Sequence, residues 1–128
     1  MLLLDTCALL WLAVDQTKLT GTARQAIASH ADSLFISAIT AFEIAVKHRQ
    51  GKLSLPLPPL QWYTEALAFH GIHELPVTGN IATMSVQLPP LHNDPCDRII
   101  IATAETNNLS IVTGDELIAQ YPQARIIW

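Results

Sequence analysis

Acidic residues in four separate segments are the side chains of this sequence best suited to chemistry. Asp5 directly follows an apolar run at the start of the chain, and Asp115 follows a second run with one glycine between. Glu43 and Asp97 lie near the starts of two segments of helical period. Carboxylates gathered in one place repel each other unless a cation neutralises them, and Mg²⁺ or Mn²⁺ prefers oxygen ligands. The four acids therefore predict a divalent-metal site, suited to activating a water for an in-line displacement at phosphorus.

The elements that must position these acids alternate between strand and helix. The predicted strands are residues 1–4, 33–36, 72–76, 109–113 and 125–128. The predicted helices are residues 8–14, 22–30, 38–50, 60–70, 79–87, 97–107 and 116–120. The first and fourth strands are apolar on both faces, as strands covered by helices on both sides must be. We expect one domain over residues 1–128, a three-layer α/β/α sandwich with a central parallel sheet of about five strands.

The ends of the predicted strands explain how distant acids could meet. Ligands of an open parallel sheet bind beyond the carboxyl ends of its strands, where Asp5 and Asp115 both lie. If their strands are neighbours, those ends are about 5 Å apart. Ser37 ends the second strand and could cap the next helix, and Glu43 follows about a turn and a half later, within reach of the strand ends.

Composition narrows the class of protein. The 128 residues are 50% apolar and 14% charged, which excludes intrinsic disorder. The apolar run at residues 8–14 is far shorter than the ~18 residues needed to cross a bilayer. No basic segment precedes the first apolar run, so we expect a cytosolic protein without a secretory signal or membrane association. Cys7 and Cys96 lack metal-binding spacing and are expected to be free thiols.

The formal charge of −4 at first argues against a nucleic-acid partner. Five of the 11 acids, however, fall in the predicted site, and the remaining six face seven lysines and arginines. The acidity therefore belongs largely to the metal site, and the few bases imply only weak general attraction for RNA. The five acids are Asp5, Glu43, Asp94, Asp97 and Asp115.

Each acid also has a purely structural interpretation. Asp94 and Asp97 can be the N-cap and N3 residues of a helix that begins at Pro95. Asp115 can cap a short helix, and Glu43 can pair with Lys47 at i, i+4. Asp5 fits such an interpretation least well, because a lone acid after an apolar strand points into the ligand crevice of the sheet. The joint placement of the four acids favours the metal site.

Four blocks of residues carry a resemblance to a known family. The sequence resembles PIN-domain proteins, and within that family the VapC-type toxins of prokaryotic toxin–antitoxin modules. The blocks follow the family's order from end to end of the chain. They are Leu3-Leu4-Asp5-Thr6; Ser37 to Ile44 with Lys47 and Gly51-Lys52-Leu53; His92-Asn93-Asp94-Pro95-Cys96-Asp97-Arg98 with Ile100, Ala102 and Ala104; and Thr113-Gly114-Asp115.

The resemblance implies a metal-dependent endoribonuclease that leaves 5′-phosphate and 3′-hydroxyl products. Its catalytic and metal-holding acids map onto Asp5, Glu43, Asp97 and Asp115. Thr6, Asp94 and Thr113 are implied near the site, with Lys47 and Arg98, and also Arg49 and His92, holding flanking RNA phosphates. The family further implies a homodimer in the prokaryotic cytoplasm, silenced by a cognate antitoxin that enters the active-site groove. Cys7 and Cys96 depart from the His and Phe that close relatives usually carry, which affects the pocket shape but no carboxylate.

Other functions fit less well. A response-regulator receiver domain needs an Asp after its third strand, but no Asp lies between Asp32 and Asp94. A phosphotransferase of the haloacid dehalogenase type needs Asp-x-Asp after the first strand, where this chain has Asp5-Thr6-Cys7. A catalytically inactive RNA- or protein-binding module on the same fold remains as the alternative.

The large apolar side chains near the helices leave two interpretations open. Trp11, with Leu9 and Leu12, and the pair Trp62 and Tyr63 are expected either at a dimer or antitoxin interface or in the core.

Overall fold

Two α-helices follow each of the first three strands in the computed structural model, which describes residues 1–128. The strands are β1 Leu2–Leu4, β2 Leu34–Ser37, β3 His73–Leu75, β4 Ser110–Val112 and β5 Ile126–Ile127. The helices are α1 Thr6–Val14, α2 Gly21–Ser29, α3 Ile39–Arg49, α4 Pro59–His70, α5 Gly79–Gln87 and α6 Pro95–Asn107. None of these helices has the length and apolar character needed to cross a membrane.

The five strands form one parallel sheet in the order β3-β2-β1-β4-β5. Strand β1 is central, with Leu4 opposite Ile36 of β2 on one side and Val112 of β4 on the other. The residues that follow β1 and β4 are therefore neighbours at the carboxyl edge of the sheet. The fold confirms the predicted α/β/α sandwich and the adjacency on which the metal-site prediction depended.

The three leucines of β1 explain why helices cover both faces of the sheet. Successive side chains of a strand point to opposite faces, so Leu2 and Leu4 share one face and Leu3 takes the other. Leu2 and Leu4 belong to a core cluster with α1, α2 and α4, and Leu3 to a cluster with α6. All three are buried, which fixes β1, and with it Asp5, in the middle of the molecule.

The structure corrects the predicted helix over residues 116–120. Only a short 3₁₀ turn forms, at Ile118–Gln120, since Tyr121 is already extended with φ −76° and ψ 123°. The side chain of Asp115 begins this turn, as its Oδ1 accepts from the backbone N–H groups of Leu117 and Ile118 at 2.8 and 3.2 Å. From the sequence alone, a capping Asp followed by polar and apolar residues is as compatible with a longer helix as with this single turn.

The structure also distinguishes between the core and interface interpretations of the large apolar side chains. Trp62, Tyr63, Leu9 and Leu12 are buried in the core cluster, which is one of the two interpretations left open by the sequence. Trp11 is only partly buried, packs against the same cluster and lines the pocket described below. The Tyr63 hydroxyl donates to Glu74 on β3 at 2.8 Å, which satisfies its polar end. A tryptophan on a helix buries as readily as it binds a partner, and the sequence does not separate the two.

Candidate metal and catalytic site

Asp5 lies at the junction of β1 and α1, where it caps the helix. Its Oδ1 accepts from the backbone N–H of Ala8 at 2.7 Å, which satisfies one of the free N–H groups at the start of α1. Its Oδ2 accepts from the hydroxyl of Thr113 at the end of β4. Only 5% of Asp5 is exposed. Both carboxylate oxygens are therefore fixed in orientation, and each keeps a lone pair free for a cation.

Asp115 is positioned by the same threonine. The Thr113 hydroxyl accepts from the backbone N–H of Asp115 at 3.0 Å while it donates to Asp5. The two acids are thus joined through one hydroxyl, although 108 residues separate Asp5 from Thr113. The predicted meeting of Asp5 and Asp115 at the edge of the sheet is what the structure shows.

Glu43 reaches the same pocket from α3. The N-cap position of this helix is Ala38 and not the predicted Ser37, although the Ser37 hydroxyl accepts from the backbone N–H of Ile39 at 3.2 Å. The side chain of Glu43 is only 12% exposed, and its Oε2 pairs with Lys47 at 3.4 Å. Its Oε1 is buried without a hydrogen-bond partner. Because a buried unpaired carboxylate oxygen is costly, this atom indicates a ligand that completes the site.

Asp94 and Asp97 both come from the start of α6. Asp94 is its N-cap, accepting from the backbone N–H groups of Cys96 and Asp97 at 2.8 and 3.4 Å. Pro95 occupies the first turn, where its lack of an N–H group costs nothing. The capping role of Asp94 is confirmed, and its carboxylate lines the pocket as well.

The acids surround a pocket of about 310 Å³. Five carboxylates line it: Asp5, Glu43, Asp94, Asp97 and Asp115. The other lining residues are Thr6, Cys7, Trp11, Lys47 and Gly114. The structure thus brings together all four predicted catalytic acids, with a single lysine to offset their charge.

Two acids of the pocket, Asp5 and Asp97, have raised pKa values. Burial raises the pKa of Asp5 from 3.8 to about 6, against the lowering effect of the hydrogen bonds from Thr113 and Ala8. Burial, followed by repulsion from Asp94 and Glu43, also raises the pKa of Asp97, and His92 opposes that rise. A cation bound among these oxygens would remove the repulsion. The hard oxygen donors and the unpaired Glu43 Oε1 fit a divalent cation such as Mg²⁺ or Mn²⁺.

His92 is the site residue whose role the sequence analysis did not identify. It was expected to meet RNA phosphates, but it is buried, with Nε2 at 2.9 Å from Asp97 Oδ2 and 3.3 Å from Asp115 Oδ2. The potential ligand atoms of these three residues lie within 4.8 Å of one another. The available signal was the position of His92 two residues before the helix cap Asp94.

Arg98 does not line the pocket, and its contacts within the protein argue against the predicted role in holding RNA phosphates. Its guanidinium donates to the segment before α6 and to Tyr121. The acceptors are the carbonyls of Ser85, Val86, Leu88, Pro89 and His92 and the Tyr121 hydroxyl, at 2.7–3.3 Å. All three guanidinium nitrogens are engaged, so Arg98 shapes this segment and has little left to offer a phosphate.

Thr6 lies beside Asp5 and lines the pocket, as the resemblance implies. Its hydroxyl lies 3.1 Å from that of Thr40 on α3, and both residues are buried. This contact ties the start of α1 to the helix that carries Glu43. Thr40 itself was not singled out from the sequence.

Cys7 and Cys96 are free, as expected. Burial raises the pKa of Cys7, and burial with the nearby carboxylates raises that of Cys96 to about 11. Both therefore stay protonated near neutral pH and are poor nucleophiles. The chemistry of the pocket rests on its carboxylates.

Comparison with known families identifies the family to which this fold belongs. The sequence matches the model of the PIN domain over residues 2–123. The chain belongs to the PIN domain family. Its family membership, expected from four short blocks, is therefore confirmed over nearly the whole chain.

This PIN domain also resembles individual proteins. It is 34% identical to Ribonuclease VapC22 of Mycobacterium tuberculosis (strain ATCC 25618 / H37Rv), across 98% of this chain and 97% of that protein. A toxin–antitoxin complex from Klebsiella pneumoniae contains a chain with 25% identity and a TM-score of 0.65, covering 97% of this chain and 95% of its own. VapBC2 from Rickettsia felis, bound to a promoter DNA fragment, shares the fold at a TM-score of 0.72 with 14% identity, over 98% and 96% of the two chains.

Proposed function

We propose that this chain is an endoribonuclease that hydrolyses RNA phosphodiester bonds with Mg²⁺ or Mn²⁺ held by Asp5, Glu43, Asp97 and Asp115. The observation that carries the proposal is the pocket of five carboxylates, in which the buried Glu43 Oε1 has no partner. The relative at 34% identity is named a ribonuclease, which supports RNA as the substrate.

Several residues of the pocket have distinct roles in the proposed reaction. A bound divalent ion would supply a Lewis acid and lower the pKa of the attacking water. The Ala8 N–H and Thr113 hydroxyl fix both oxygens of Asp5, so little reorganisation is needed when the ion and the substrate bind. Glu43 would either orient the attacking water or help to hold the ion.

The chemical step is hydrolysis in line with the leaving group. The water oxygen forms a bond to phosphorus as the bond from phosphorus to the 3′ oxygen breaks, which yields a 5′-phosphate and a 3′-hydroxyl. Lys47, partly exposed on the rim of the pocket, neutralises a neighbouring phosphate. With Arg98 committed to backbone carbonyls, Lys47 is the basic side chain best placed for this role.

A cognate antitoxin is the proposed inhibitor, and the prokaryotic cytoplasm the proposed location. The toxin–antitoxin complex from Klebsiella pneumoniae supports such a partner. The acidic pocket would attract a basic antitoxin side chain, which would occupy the cation site and exclude RNA. The homodimer implied by the family resemblance stays a prediction.

Cleavage of RNA by the purified protein tests the proposal. We expect cleavage in Mg²⁺ or Mn²⁺, loss of cleavage with chelator, recovery when metal is restored, and 5′-phosphate ends. Asp5→Asn should abolish cleavage while the circular dichroism spectrum is retained, whereas Asp32→Asn, at an exposed acid, should cleave normally. If RNA binds but is never cut under any metal condition, the chain is an inactive binding module instead.

The substrate follows from a second experiment. The chain is induced in cells without its antitoxin, and the 5′-phosphate RNA ends that accumulate are sequenced. Ends that cluster at one sequence or one folded RNA element, and vanish with Asp5→Asn, identify the target. Ends distributed as in the Asp5→Asn cells would contradict the proposed activity.

A further inference from the structure

His92 is held in place from several directions although it belongs to no helix or strand. Its backbone N–H donates to the Tyr121 hydroxyl at 3.0 Å, and that hydroxyl donates to the carbonyl of Pro89 at 2.7 Å. The carbonyl of His92 accepts from Arg98 at 3.1 Å. Together with its burial, these contacts leave the imidazole little freedom to move.

The hydrogen bonds of the ring define its tautomer. The backbone N–H of Asp94 points at Nδ1 from 3.2 Å, and since a backbone N–H can only donate, Nδ1 accepts and carries no proton. The ring proton of the neutral imidazole is therefore on Nε2. This N–H group donates to Asp115 Oδ2 at 3.3 Å and lies 2.9 Å from Asp97 Oδ2.

The tautomer bears on what His92 can do for the site. A protonated Nε2 has no lone pair to give a metal ion, so His92 is a hydrogen-bond donor and not a ligand. Its N–H lies between two carboxylates that come from different elements, Asp97 on α6 and Asp115 after β4. Each carboxylate oxygen has a second lone pair, which stays available to a cation while the first faces the imidazole.

We propose that His92 is a positioning residue, whose Nε2–H holds the carboxylates of Asp97 and Asp115 at the spacing that one shared divalent cation requires. This inference rests on the proposed function only for the use of the cation. Metal ligands are commonly held by hydrogen bonds from residues that do not themselves touch the metal, and such residues strongly affect metal affinity. His92 would thereby link the segment shaped by Arg98 and Tyr121 to the geometry of the metal site.

Two substitutions separate the roles of the two ring nitrogens, Nδ1 as acceptor and Nε2 as donor. In His92→Asn the amide oxygen can still accept from the Asp94 N–H, but the side chain is too short to reach Asp97 and Asp115. In His92→Gln the amide nitrogen lies as many bonds from Cα as Nε2 and can still donate to the carboxylates. The matched control is His73→Asn, because His73 is exposed at the start of the edge strand β3, away from the carboxyl end of the sheet.

Mn²⁺ affinity, measured by calorimetry, is the first readout. We expect His92→Asn to lose about 10–100-fold in affinity, His92→Gln to regain most of it, and His73→Asn to match the wild type. Melting of the metal-free variants accompanies the titration, so that any variant that fails to fold is recognised. Equal affinity in His92→Asn and wild type would overturn the proposal, as would an equal loss in both His92 variants.

Nitrogen NMR of the His92 ring is the second readout, and it works without nuclease activity. In metal-free protein at slightly alkaline pH we expect a protonated Nε2 and an unprotonated Nδ1, with the Nε2 proton retained when Mg²⁺ is added. A proton on Nδ1, or loss of the Nε2 proton on metal binding, would make His92 a ligand and overturn the inference. Wild-type protein that shows the expected tautomer but neither binds Mn²⁺ nor cuts RNA would instead overturn the proposed function.

Discussion

The hydroxyl of Thr113 donates to the buried carboxylate of Asp5 and accepts from the backbone N–H of Asp115. One side chain at the end of β4 thereby fixes both acids at the carboxyl edge of the sheet. Because β1 and β4 are adjacent and in register, this contact depends on the pairing of Leu4 with Val112 just before it. The geometry of the site is thus a direct product of the strand order.

Thr113→Val tests this contact with little change in side-chain volume. The loss of the hydroxyl leaves the Asp115 N–H and one Asp5 oxygen without a partner, so we expect destabilisation of about 1–3 kcal/mol. Mn²⁺ affinity should fall by about 10–100-fold, because a residue that orients metal ligands is lost. Chemical denaturation and calorimetry measure the two effects. Thr113→Ser keeps a hydroxyl and should restore both, and a Ser variant as impaired as the Val variant would contradict the role assigned to the hydroxyl.

The raised pKa of Asp5 predicts how the stability of the metal-free protein depends on pH. Burial favours the protonated acid in the folded state, so stability is fully present below pH 3.8 and is lost as the pH rises through about 6. Asp5→Asn cannot ionise and should escape this loss. At neutral pH we expect it to be more stable than metal-free wild type by up to about 3 kcal/mol, with the difference vanishing near pH 4.

Chemical denaturation of both proteins between about pH 4 and neutral pH measures the sign of the difference in stability between Asp5→Asn and the wild type. Asp97 is not altered in the variant, and its raised pKa leaves part of the pH dependence in both proteins. The difference between them isolates Asp5. Addition of Mg²⁺ should reverse the order at neutral pH, since only the wild type keeps the full ligand set. A difference independent of pH would contradict the burial of an ionisable Asp5.

Gly114 between Thr113 and Asp115 is required by the closeness of Trp128. A Cβ atom at this position would lie 2.7 and 2.9 Å from two atoms of the Trp128 ring, too close for any side chain. Gly114→Ala must displace that ring and disturb its contact with Trp11, whose ring centroid lies 5.6 Å away on the side of the pocket. We expect a loss of about 1–3 kcal/mol in stability. In Gly21→Ala, where nothing lies within 4 Å, stability should be unchanged or higher.

Substitution of Arg98 should mainly lower stability, whereas substitution of Lys47 should mainly weaken the interaction with RNA. Arg98→Lys loses the planar fork that donates to five backbone carbonyls, so we expect destabilisation on the order of 3 kcal/mol. Lys47→Met removes a partly exposed ion pair and should cost less than about 1 kcal/mol while KM for RNA rises. Denaturation and steady-state cleavage separate the two. A normal stability for Arg98→Lys with weakened RNA binding would restore the phosphate contact predicted from the sequence.

The placement of the acids was predictable because it depends on backbone geometry. Asp5 and Asp115 follow strands of a parallel sheet, and strand ends meet at one edge whatever the side chains do. Glu43 needed only a helix that starts just after Ser37, at that edge of the sheet. These inferences use regular structure, whose periods are visible in the sequence.

The roles of His92 and Arg98 were not predictable for the opposite reason. Both depend on the irregular segment between α5 and α6, where the carbonyls of Leu88, Pro89 and His92 accept from the guanidinium. No periodic pattern specifies where those carbonyls point, so the two basic residues near Asp97 both suggested phosphate contacts. The burial of Trp62 was hidden similarly, because it depends on how α4 packs against α1 and the sheet.

Diffraction from crystals of the wild-type protein soaked in Mn²⁺ tests the central claim most directly. The anomalous signal of manganese locates the ion without reference to activity. The account predicts an anomalous peak in the pocket, within bonding distance of carboxylate oxygens from among Asp5, Glu43, Asp97 and Asp115, and its absence from Asp5→Asn crystals. Manganese bound elsewhere, or a pocket without a peak at saturating Mn²⁺, would contradict it.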